Sequence, residues 1–214
     1  MFKSIISGDP KAAIHDDQIE YAQAYLTRNH RMLFLRGLIV ASPPRVDSNG
    51  PVWIGDDIIA MNRVDSESPI YLFIDSPGGD ITTGFALFDI MMLSKAPITT
   101  VTTAAASMAT VIMQAAKERV CFPHSRFMLH LPSGVFSGDA DEVKIRTELL
   151  NSLKDELIGV YLEHGVTAGL VNKSQRDIKK RILSDINKEK WLDAKEAIAY
   201  GLVDRIVTQE ELMG

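Results

Sequence analysis

IYLFIDSPGG, residues 70–79, is the stretch whose reading decides the fold. It opens with an apolar run of strand length, the kind that suits a strand buried on both faces of a parallel sheet. Ser76-Pro77-Gly78-Gly79 then breaks the chain sharply. Residues 83–93 follow, apolar nearly all round, and predict a buried helix. Residues 98–102 are β-branched and predict the next strand. Working outward, MLFLRG (32–37) reads as an earlier strand, ASPPRVDSNGPV (41–52) as a loop and residues 54–64 as a helix carrying Ile58, Ile59 and Met61. On the other side, residues 107–116 predict an uncharged helix, and residues 119–122 and 126–130 two short strands. Alternation of this kind implies an α/β fold, a parallel-rich sheet with flanking helices.

Residues 140–164 break the rhythm. They predict one long helix, about 37 Å at ~1.5 Å per residue. Its apolar positions are Val143, Ile145, Leu149, Leu150, Leu153, Leu157 and Tyr161. From Leu150 onward the spacing of three and four gives a stripe that suits either the chain's own core or a second subunit. Near the end, Asp193 and Glu196 predict a capping box, Gly201 a helix stop and residues 202–207 a last short strand. Residues 1–30 are polar and weakly patterned, with one short helix expected around 19–26. The division expected is a 1–30 N-terminal segment and a 31–214 domain.

The 214 residues are 46% hydrophobic and 24% charged, with a net charge of -5 and no basic run. That argues against a nucleic-acid partner. Residues 96–116 carry no charge, but Pro97, five threonines, Ser107 and Gln114 read as a buried strand and helix rather than a membrane span. One cysteine, Cys121, excludes an internal disulfide and fits a reducing compartment. The start of the chain lacks the apolar stretch of a secretory signal, so a cytoplasmic protein is expected.

Three features can carry chemistry. Ser107, in AAASMAT, stands where a β-rich segment meets a helix. It reads as an ordinary N-cap unless a base reaches it, when it becomes a nucleophile. His130, at the end of RFMLH and before Leu131-Pro132-Ser133-Gly134, is suited to proton transfer near neutral pH, although a lone histidine is more often structural. Gly78-Gly79 is a turn, or a site where backbone N–H groups face a ligand as an oxyanion hole requires. A Cys121–His124 dyad is disfavoured because Cys121 falls in a buried strand. Neither a cofactor nor a metal is expected.

Taken together, YLFIDSPGGDITTGFALFDIM, AAASMATVIMQAAKERVCFPHSRFMLHLPSG and WLDAKEAIAYGLVDRI resemble the Clp protease proteolytic subunit (ClpP) family over most of residues 31–207. The resemblance implies a ClpP/crotonase-like fold with a protruding long helix at 140–164. It also implies a serine endopeptidase working inside an oligomeric chamber, with Ser107 as nucleophile, His130 as base and Gly78 and Met108 as oxyanion donors. The family's acid carries over to Asp185, with Asp193, Asp177 and Asp204 as alternatives. Peptides or unfolded proteins would be substrates, a homo-oligomer the working form and an ATP-dependent unfoldase a candidate partner. The chain departs from the family at Ala109 and Leu131, in the loop around residues 42–51 and in the segment 166–183. Two other readings stand beside this one: a non-catalytic ring subunit, and a crotonase-fold acyl-CoA enzyme.

Overall fold

A computed structural model describes residues 25–27, 29–40 and 54–208. The expected helix at 19–26 falls largely outside these residues, and the loop at 41–52 entirely so.

Among the described residues six strands form one sheet: β1 (Met32–Arg36), β2 (Ile70–Ser76), β3 (Ile98–Ala106), β4 (Glu118–Leu129), β5 (Lys190–Asp193) and β6 (Arg205–Ile206). β1 to β4 lie side by side in chain order, all parallel. The far edge of β4 is shared: β5 pairs antiparallel with residues 126–129, and β6 pairs parallel with residues 120–121. Helices α1 (Ile54–Val64), α2 (Ile81–Met92) and α3 (Met108–Ile112) follow β1, β2 and β3. After β4 come α4 (Ala140–Glu163), α5 (Gln175–Asp185) and α6 (Ala194–Tyr200). The chain therefore has the expected α/β architecture, a parallel sheet flanked by helices.

Three details depart from the expectations. β2 is buried on one face only. Ile70, Leu72 and Ile74 are in the core, but Tyr71 is 36% exposed. Phe73 stacks on Phe34 with ring centroids 5.3 Å apart, and Arg36 lies over Phe34. β3 runs on through the alanines to Ala106, since pairing with β2 and β4 overrides alanine's weak strand preference. The two strands expected at 119–122 and 126–130 are one strand, β4, with an irregularity between Cys121 and Arg126. Ser125 Oγ satisfies that bend, accepting from Phe122 N and donating to Thr102 O.

The stretch 96–116 becomes β3 and α3, and Val101, Ala105, Met108, Val111 and Ile112 are all buried. No helix among the described residues is long and apolar enough to cross a membrane. At the C-terminal end the expected cap and stop are present, but the strand expected at 202–207 shortens to the two residues of β6. Asp193 and Glu196 form a reciprocal capping box, and Gly201 ends α6 at φ 80°.

α4 divides in two. Its C-terminal third enters the chain's own core through Leu157, Ile158 and Tyr161. Its earlier turns stand out from the body, with Ile145 66% and Leu149 59% exposed. The stripe read from Leu150 to Tyr161 is thus split, because Leu157 and Tyr161 pack inward while Leu150 and Leu153 are only partly covered.

Candidate active site

The turn between β3 and α3 puts Ser107 at the site's centre. Its backbone sits at φ 54°, ψ −127°, a region that costs a residue with a Cβ about 1–3 kcal/mol. The conformation is fixed from both sides. Ser107 N donates to Met128 O at 2.8 Å, extending the β3–β4 pairing. Ser107 O accepts from Thr110 N and Thr110 Oγ1. Ser107 makes no side-chain cap bond to its helix, so the ordinary N-cap role is not the one it plays. Its Oγ instead lies 2.7 Å from His130 Nε2. The histidine, just beyond the end of β4, is brought there because β4 is the neighbour of β3. Both side chains are half-buried, open enough for a substrate to reach.

The Gly78-Gly79 turn closes the other side. Ile39 pins it: Ile39 N donates to Gly78 O, and Asp80 N donates to Ile39 O, both at 2.8 Å. Gly78 has φ 90°, and a Cβ there would lie 2.5 Å from Ala106 O, 2.7 Å from Ser107 Cβ and 2.9 Å from Met108 N. Only glycine lets this turn press against the serine. The Gly78 N–H donates to Ser76 Oγ at 3.1 Å, and that hydroxyl donates in turn to Gly37 O. Among the described residues, the N–H groups of Gly79 and Met108 have no protein acceptor. The Ser76 hydroxyl is a participant that the sequence reading did not single out.

Asp185 is near the site and differently engaged. It ends α5, and its Oδ2 accepts from Arg181 Nε at 2.8 Å and Tyr200 OH at 3.2 Å. Burial first, and the Asp185 charge second, push the Tyr200 hydroxyl well above its usual range, so it stays a proton donor to that carboxylate. The structure brings Ser107, His130, Gly78 and Met108 together; among the described residues no hydrogen bond joins Asp185 to His130. The alternatives are also occupied: Asp193 caps α6, Asp177 bonds Ser174 and Asp204 pairs with Arg119.

Cys121 is fully buried in β4, where burial raises its thiol to about 11, and His124 is exposed. That thiol is therefore no nucleophile at neutral pH. Among the described residues, no group of three or more His, Cys, Asp or Glu side chains could hold a metal ion.

One further connection reaches the serine. Thr110 Oγ1, bonded to Ser107 O, lies 2.7 Å from Tyr161 OH on α4. The anchored end of the long helix therefore touches the turn that carries the nucleophile candidate.

Residues 26–210 match the family model described as Clp protease. The ATP-dependent Clp protease proteolytic subunit 2 of Cutibacterium acnes is 32% identical over 191 residues, covering 87% of this chain and 85% of that protein. The protein of the same name from Treponema denticola is 32% identical over 152 residues, covering 70% of this chain and 71% of its own.

Proposed function

Because the chain belongs to the Clp protease family, we propose that it is a serine endopeptidase in which Ser107 is the nucleophile and His130 the base. The observation that carries this reading is the 2.7 Å contact between Ser107 Oγ and His130 Nε2, made by a serine held in a strained turn. Ser107 Oγ attacks the peptide carbonyl as its proton passes to His130 Nε2. The tetrahedral intermediate collapses, the C–N bond breaks and the leaving amine takes the proton. A water deprotonated by His130 then attacks the acyl-enzyme, giving the second product acid and restoring the serine. The Met108 amide and the Gly78-Gly79 turn are the oxyanion donors in this scheme. A carboxylate orients the histidine, a role for which the family resemblance offers Asp185.

The working form is an assembly of subunits enclosing the sites. Two apolar surfaces left open on the single chain support this: the strip of Phe34, Tyr71 and Phe73, and the outer turns of α4 with Ile145 and Leu149. Peptides and unfolded proteins are the substrates. Both relatives are named as ATP-dependent, and we extend to this chain the need for an ATP-driven unfolding partner.

A fluorophosphonate probe tests the nucleophile directly. The adduct is expected on Ser107, mapped by peptide mass spectrometry. An assembled, folded particle that takes no label would favour a non-catalytic ring subunit, and an acyl-CoA enzyme would turn over a thioester without it.

Gly78→Ala tests the glycine turn. The added Cβ meets backbone on two sides, so the turn must withdraw from Ser107. The expected outcome is a fall in kcat of roughly 10²-fold or more, with KM for a short peptide changing far less. Steady-state kinetics with a fluorogenic peptide would check it; wild-type kcat would show that the turn plays no part in stabilising the oxyanion.

A further inference from the structure

The pairing of β4 with β5 identifies a carboxylate beside His130 that the sequence reading passed over. The ladder is antiparallel, with Phe127 opposite Leu192, Met128 opposite Trp191 and Leu129 opposite Lys190. One further step in the same register sets Glu189 opposite His130. Directly opposed residues have Cβ atoms about 4.5–5.5 Å apart and project to the same face. Phe127, Leu129 and Leu192 occupy the buried face. Met128 and Trp191 occupy the other, and by alternation His130 and Glu189 join them. The Glu189 carboxylate is on that face, since its Oε2 accepts from Trp191 Nε1 at 2.9 Å. The turn is also tied to the end of β4 on its far side, where Leu131 N donates to Ile186 O at 3.1 Å.

We propose that Glu189, rather than Asp185, is the carboxylate that positions His130. The inference rests on the serine-peptidase reading above. Among the described residues, the only hydrogen bond of the His130 ring is that of Nε2 to Ser107, which leaves Nδ1 for an acceptor. Glu189 reaches it by leaving a single bond to an indole that is itself 57% exposed. Asp185 would have to abandon an ion pair and a tyrosine hydroxyl, with its side chain only 14% exposed. In this arrangement the Glu189 carboxylate keeps the His130 proton on Nδ1 and stabilises the imidazolium formed when Ser107 attacks. Asp185 instead fastens the end of α5 to α6.

The rate of fluorophosphonate labelling at Ser107, followed against pH, tests the assignment. Glu189→Gln is expected to slow labelling by roughly 10²- to 10⁴-fold. It should also move the acid limb of the profile to lower pH, because the lost negative charge no longer favours the protonated histidine. Glu189→Asp keeps the charge and should label faster than Glu189→Gln, with the limb near its wild-type position. Asp185→Asn should label within a few-fold of wild type. Labelling of Glu189→Gln at the wild-type rate with an unmoved limb would overturn the assignment, as would an Asp185→Asn variant that reproduces both effects in a folded particle. A folded wild-type particle unlabelled at Ser107 would instead sink the peptidase reading and, with it, any positioning carboxylate.

Discussion

Ser107→Ala is expected to lower hydrolysis of a short fluorogenic peptide by roughly 10⁴- to 10⁶-fold while leaving the fold intact. Alanine keeps the Cβ, so the cost of holding φ near 54° is unchanged. The change removes one hydroxyl and one hydrogen bond, that to His130 Nε2. A partly exposed bond of this kind contributes about 1 kcal/mol to stability. Thermal melting of the variant should therefore stay close to wild type while turnover approaches background. The residual rate would come from binding and oxyanion stabilisation alone. Unchanged turnover in a preparation free of other peptidases would remove Ser107 from the mechanism.

The second large effect separates the two halves of α4. Leu157 is 4% exposed and belongs to the chain's own core. Removing a buried leucine side chain costs about 2–5 kcal/mol, and burying a carboxylate adds to that. Against a typical domain stability of about 5–15 kcal/mol, Leu157→Glu should yield little soluble protein. Ile145→Glu with Leu149→Glu should behave oppositely. Both side chains face solvent in the single chain, so the subunit should fold and melt almost normally while the assembly sediments as smaller species with reduced activity. A wild-type chain that sediments as an active monomer would refute the assembly. A particle that survives both outer substitutions would place the subunit contact elsewhere.

The sequence made the frame of the fold legible where the signal was strong and local. The apolar run at Ile70, the turn at Ser76-Pro77, the apolar helix after it and the capping box at Asp193 all lie where they were expected. The Ser107–His130 contact followed from family motifs and from the neighbouring positions of β3 and β4. What stayed hidden depended on pairing across the chain. β5 is four residues long, with Trp191 exposed, and has no periodicity to reveal it. α5 is rich in charge, with Ile182 as its one buried residue, so no apolar stripe announces it. Without β5, a motif-based carry-over sees only that an acid precedes WLDA, and Asp185 and Glu189 both satisfy it. Our proposal separates them by the ladder register, which one step beyond Lys190 sets Glu189 opposite His130. The long helix was ambiguous for a related reason: one stripe of leucines serves the subunit core at one end and open solvent at the other.

The backbone at Ser107 sets folding and chemistry at odds. Positive φ is the territory of glycine, which would relax the turn at no steric cost. Glycine would also keep the 2.8 Å bond from the backbone of residue 107 to Met128. A lineage that needed only the shape of this subunit would drift toward glycine at this position and become more stable for it. Serine there carries a thermodynamic disadvantage that its Cβ imposes and that glycine would not bear.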